Sequence, residues 1–259
     1  MWFTDVLSAL SILVVLPRFF SQSLCSNAIS LTEYNALYSF YNSTNGNDWN
    51  WKSVVEYGLK WNFDPDVEGG NASLSKPCTE HWQGLSCDFV IDSSNTCYVK
   101  SLALVDYNLT GSLPSVINGL SKLTSLSLSF NYLSSTIPRQ LWDLGHLQDL
   151  SLNNNMISGP IRAEIGNVST LLLLNLEFNF FTSTVPAQLS NSQSLQHLYL
   201  STNSFSGYLS ESLGHLPKLE YMTLNQNQLS GSIPISFQNL SSLTVSPVFF
   251  SSVFYLLAM

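Results

Sequence analysis

The chain has 259 residues, with nine lysines and arginines against seventeen aspartates and glutamates and a formal net charge of −8. The basic residues do not cluster and no nucleic-acid-binding motif is present, which excludes DNA and RNA as partner classes. An acidic surface carried mainly by uncharged polar groups suits a soluble protein that meets other proteins or sugars.

Residues 1–24 hold an apolar run, Val6–Leu16, followed by Pro17-Arg18-Phe19-Phe20 and the small residues Ser21-Gln22-Ser23. This order predicts a secretory signal peptide cleaved between Ser23 and Ala28, although Asp5 and the lack of Lys or Arg make its n-region atypical. An anchor helix is the weaker reading, because the run is short of the roughly 20 apolar residues that span a bilayer.

From Ser30 a helix is predicted. Ser30-x-x-Glu33 is a capping box, and Leu31, Tyr34, Leu37, Tyr38 and Tyr41 fall on one face. Asn42–Asp48 ends it as a turn. Trp49, Trp51 and Trp61 follow, then Pro77-Cys78 and Trp82-x-Gly84-Leu85-x-Cys87. The aromatics read as core and not as a ligand site. In a secreted chain the four cysteines, Cys25, Cys78, Cys87 and Cys97, predict disulfides. Zinc is disfavoured, since no C-x-x-C or suitably spaced His accompanies them. Asp64-x-Asp66-x-Glu68-Gly69 opens like a calcium loop, but Pro65 sits inside it and Ser75 stands where a bidentate Glu is needed. It reads as a solvated acidic loop, and no metal site is expected.

Residues 99–244 repeat every 24 residues, six times. One apolar column is Leu102, Leu126, Leu150, Leu174, Leu198, Met222, and a second runs two residues later from Leu104 to Leu224. An Asn column follows at Asn131, Asn155, Asn179, Asn203 and Asn227, broken by Tyr107 in the first copy. Further apolar columns begin at Leu109, Leu113, Ile117 and Leu123, and Pro114, Pro138, Pro186 and Pro234 follow the Leu113 column. Alternating L-x-L points two side chains inward from a short extended segment. The Asn sits where the chain turns, and its amide is expected to bond backbone groups of its own coil and the next. The Pro favours irregular or polyproline-like backbone on the convex side. No copy can bury its own core, so copies must stack. At about 4.8 Å per strand, six copies make a solenoid roughly 30 Å long.

These columns resemble the plant-type leucine-rich repeat, L-x-x-L-x-L-x-x-N-x-L-x-G-x-I-P. Arg162 and Ser210 depart from it at the Pro, Ser192 at an apolar position, and Ser135 and Ser183 at the Gly. The run ALYSFYNSTNGNDWNW with PCTEHWQGLSC resembles the cap that precedes such repeats. The resemblance implies an α/β solenoid: a right-handed superhelix with a parallel sheet on its concave face and a helical, disulfide-bonded cap. It divides the chain into a signal peptide (1–24), cap (25–98), repeats (99–244) and a divergent tail (245–259). It also implies a Cys78–Cys87 bridge, which leaves Cys25 and Cys97 as the remaining pair.

A solenoid binds through its concave face. There an aromatic group, Phe130, Phe178, His197, Tyr199 and Tyr221, rimmed by Asp149 and Glu177, is the expected partner-binding patch. Catalysis finds no support. His81, His146, His197 and His215 lack metal spacing, and no nucleophile elbow, P-loop or carboxylate-pair motif is present. No cofactor is expected. N-x-S/T sequons stand at Asn42, Asn71, Asn108, Asn167 and Asn239, all outside the inward Asn column, so each is expected to tolerate a glycan. The pattern fails at Ser246, Val248 and Ser251, and an apolar tail follows. This suggests a truncated product. Two functions fit: a secreted protein that captures an extracellular protein or peptide, resembling polygalacturonase-inhibitor-like proteins, or the truncated ectodomain of a receptor-like kinase or receptor-like protein. Either places the chain in the cell wall or at the cell surface.

Overall fold

The computed structural model describes residues 28–63, 76–89 and 96–244. The signal segment, Cys25, the Asp64–Glu68 loop, Asn71 and the tail lie outside the described residues.

Every repeat begins as a three-residue strand, and the strands pair in parallel at a constant offset of one period. Ser101–Ala103 of the strand Cys97–Ala103 pairs with Ser125–Ser127. Asp149–Ser151, Leu173–Asn175, His197–Tyr199 and Tyr221–Thr223 follow in turn without a register shift. The L-x-L residues point inward from these strands and are buried throughout, from Leu102 to Leu224. Each fully buried leucine contributes about 1.5–3 kcal/mol. Phe181 and Phe205, from one column in adjacent coils, stack with ring centroids 6.0 Å apart. The sixth coil is less covered: Leu229, Phe237 and Leu243 are only partly buried.

The convex side is a row of one-turn 3-10 helices, from Ser115–Gly119 to Ile235–Asn239. Pro114 and Pro138 precede the first two with polyproline-like torsions, φ −74°, ψ 148° and φ −65°, ψ 139°. Arg162 and Ser210 take the same conformation at φ −78° and −77°. The proline therefore favours a shape that the rest of the coil already imposes.

The Asn column closes the bends in the direction opposite to the expected one. Asn131 Oδ1 accepts the backbone N–H groups of Tyr107 and Leu109, and its Nδ2 donates to the carbonyls of Leu104, Leu128 and Ser129. Asn155, Asn179, Asn203 and Asn227 repeat this, each bonding its own coil and the preceding one. The chain turns before the Asn, so the open donors within reach are those of the coil already laid down.

The cap helix, Leu31–Ser43, starts at the Ser30–Glu33 capping box. Its buried face is Glu33, Tyr34, Ala36, Leu37 and Phe40, whereas Leu31 and Tyr38 of the predicted face are exposed. The face has rotated because Glu33 turns inward: its Oε1 accepts the backbone N–H of Val99 at 3.0 Å. Phe40, Trp49, Trp61, Trp82 and Phe63 form one aromatic cluster with centroid separations of 4.8–6.2 Å. Leu85–Phe89 pairs antiparallel with Cys97–Ala103 and covers the first edge of the sheet, which would otherwise present unpaired backbone. Cys78 and Cys87 are disulfide-bonded. Cys97 is also disulfide-bonded.

Candidate concave-face binding site

The strand ends are shaped by a column of left-handed residues. Asp106, Phe130, Asn154, Phe178, Thr202 and Gln226 all have φ between 54° and 59°. This turns the backbone out of the sheet one residue before each Asn of the column or, in the first coil, Tyr107. Holding a non-glycine residue there costs about 1–2 kcal/mol, offset by the bonds that the following Asn makes. The outward residues of each strand are consequently fixed in rows one coil apart.

Within these rows the fifth and sixth coils bring rings together. His197 and Tyr221 stack with centroids 5.1 Å apart and planes 15° apart, and His197 and Tyr199 lie 6.1 Å apart at 12°. The two carboxylates of the predicted patch face this stack. Glu177 accepts a hydrogen bond from Thr223 Oγ1 at 2.5 Å, although Thr223 lies two coils further on. That reach draws the carboxylate across the Tyr199 coil. Burial holds the Asp149 carboxyl above its ordinary value, against a smaller downward pull from His197. Burial also raises the Tyr199 hydroxyl, with added contributions from Glu177 and Tyr221.

Phe130 and Phe178 do not join this group. Neither touches another aromatic ring among the described residues. They are exposed in the left-handed column, and Tyr132, Met156 and Phe180, two residues after that column in their own coils, are also exposed. The rings of the expected patch that meet are thus His197, Tyr199 and Tyr221. Phe130 and Phe178 hold a left-handed torsion, which alternating apolar spacing does not encode.

Three contributors were not legible as such. Gln83 is fully buried, accepts from the Lys52 N–H and the Tyr107 hydroxyl, and donates to the carbonyls of Lys52 and Gly58. Tyr107, which breaks the Asn column, therefore completes the cap; burial pushes its hydroxyl up to about 12, so it stays a donor. Lys52 pairs with Asp106 at 3.5 Å and lies 5.0 Å from the centre of the Tyr107 ring. None of these has a local sequence signal, because each partner comes from another part of the chain. Among the sequons, Asn42, Asn167 and Asn239 are exposed. Asn108 has φ +61° and its amide donates to the Asp48 carbonyl, tying the cap to the first coil.

No helix among the described residues is long and apolar enough to cross a membrane. The family profile described as leucine rich repeat matches residues 97–157 and 169–229. Phytosulfokine receptor 1 of Arabidopsis thaliana is 33% identical over 94 residues, 36% of this chain and 9% of that receptor. The ectodomain of the Arabidopsis thaliana receptor kinase SOBIR1 superposes with a TM-score of 0.63 at 24% identity, covering 80% of this chain and all of that one. The PEPR1–AtPEP1 structure gives 0.58 at 26% identity, covering 85% of this chain and 33% of that one. The chain spans between 7% and 11% of the length of the curated relatives it matches, and the kinases among them match only in their repeats. Period, register, Asn column and these likenesses agree: the chain is a plant-type leucine-rich repeat protein with the fold of a receptor ectodomain.

Proposed function

We propose that the chain is an extracellular recognition module that binds a peptide or protein partner through its concave face and performs no catalysis. The observation that carries this is the Tyr199–His197–Tyr221 stack with Asp149 and Glu177, held in fixed rows on a sheet face that no other part of the described chain covers. Rigid aromatic residues presented without further ordering are the material of binding hot spots. The ligand class follows the relatives: one is named for phytosulfokine, and PEPR1 was solved with AtPEP1.

The test is to select binders from a displayed random-peptide library on the purified protein. Their affinities are then compared with those for Tyr199→Ala and Tyr221→Ala. At least a tenfold loss, about 1.4 kcal/mol, supports the concave site. Unchanged affinity in both variants places binding elsewhere.

A second reading, the ectodomain of a receptor-like kinase or receptor-like protein, is favoured by the small fraction of each relative that the chain matches. Sequencing the transcript through and beyond the codons for Leu243–Met259 separates the two. A frame that continues into a membrane helix supports the receptor, and a stop after Met259 supports the secreted binder.

A further inference from the structure

The residues that flank the inward leucines form four columns, those beginning at Ser101, Ala103, Val105 and Asp106, and all but Ser129 and Ser201 are at least partly exposed. Not one of these positions is Lys or Arg. The two lysines that come close do so at the cap end and are occupied, Lys52 by Asp106 and Lys100 by Asp88 at 2.9 Å. Asp149 and Glu177 have no such neighbour. Among the described residues neither forms an ion pair; the His197 ring acts on Asp149, and the Thr223 and Tyr199 hydroxyls act on Glu177.

A face of this kind discriminates by charge. A ligand held through its own carboxylates would meet two like charges and no cation, which is costly across a partly desolvated interface. A lysine or arginine side chain meets the reverse. Its aliphatic stem packs on aromatic surface, its charge is attracted to ring faces, and Glu177 and Asp149, from the two preceding coils, accept its N–H groups. Asp149 also gains, since among the described residues no lysine or arginine pairs with its partly buried carboxylate.

We propose that the concave face selects a basic peptide, with lysine or arginine side chains lying on the Tyr199–His197–Tyr221 rings and ending at Glu177 and Asp149. The inference rests on the concave-face reading above and adds the charge of the partner.

The peptides selected above test it. The expected result is enrichment of Lys and Arg. Replacing those residues by norleucine or citrulline in synthetic copies should weaken binding to the wild-type protein at least tenfold and abolish most of its salt dependence. On the doubly substituted Asp149→Asn, Glu177→Gln protein the same replacement should matter little. Selected peptides without enriched basic residues, or basic peptides indifferent to norleucine exchange, overturn the charge assignment. Loss of their binding in Tyr199→Ala would then leave the concave site standing. If Tyr199→Ala and Tyr221→Ala are also without effect, or no displayed peptide binds, the underlying reading falls with it. The norleucine comparison uses only the wild-type protein and so does not depend on the folding of any variant.

Discussion

One oxygen of Glu33 accepts the backbone N–H of Val99 at 3.0 Å, while the other closes the first turn of the cap helix against Ser30. A single buried carboxylate thus joins the helix to the first strand of the repeats. Glu33→Ala leaves the Val99 donor unsatisfied and is expected to cost about 1–3 kcal/mol, read as a lower midpoint in denaturant titration.

The same group gives a pH dependence of defined sign. Burial outweighs the hydrogen bonds from Val99 and Ser30 and holds the Glu33 carboxyl above 4.5. Well below 4.5 it is protonated in folded and unfolded chains alike and contributes nothing to the pH dependence. As pH rises through the folded-state value, the folded protein carries the full penalty of the buried charge, so stability falls across that window. Glu33→Gln should remove this part of the slope. Denaturant titrations between about pH 4 and 7 check it, and an unchanged slope in the variant would show that another group sets it.

Asn155→Leu is expected to be far more damaging than its size suggests. It frees the Leu133 N–H and the Leu128 and Leu152 carbonyls at once, and each unpaired buried group costs about 1–3 kcal/mol. Asn153→Ala, two residues away on the concave face, loses only the bond from the Ser129 hydroxyl among side chains and should cost under about 1 kcal/mol. Comparable thermal melts for the two variants would contradict the inward role of Asn155.

Ser135 and Ser183 hold φ of 70° and 67° at the column where Gly111, Gly159, Gly207 and Gly231 stand. Ser135→Gly and Ser183→Gly relieve a left-handed torsion worth about 1–2 kcal/mol, less the greater freedom that glycine gives the unfolded chain. Each should therefore stabilise by a few tenths to about 1 kcal/mol. Gly111→Ala should do the opposite, because its Cβ would run into the Ser43 carbonyl oxygen. The three melts, taken together, test whether the backbone or the side chain decides this column.

The Cys78–Cys87 bridge closes a short loop of sequence separation nine. Replacing both cysteines by alanine should destabilise the cap by about 2–3 kcal/mol. Protection of the Leu85–Phe89 amides in hydrogen exchange should fall first, before that of the strand Asp149–Ser151.

What the sequence made readable follows from what a strict period can carry. Each inward leucine, each Asn and each convex turn recurs at 24 residues, so one copy predicts the other five. The cap has no period. There Glu33 and Gln83 look like surface residues, and only Val99, Lys52 and Tyr107, distant in the chain, reveal them as buried hydrogen-bonding centres. The site was half legible for a related reason. Column positions put His197, Tyr199 and Tyr221 close enough for their rings to stack, but they could not show that Phe130 and Phe178 adopt a left-handed backbone.

Because each Asn reaches back to the coil before it, a coil made on the ribosome stays open until its successor emerges. The N-terminal cap likewise waits for the first coil, because Val99 and Tyr107 supply the partners of Glu33 and Gln83. Maturation is therefore directional, with one unclosed bend always travelling at the growing end. A pause within a repeat would expose that bend to chaperones or proteases. A pause just after an Asn would expose least.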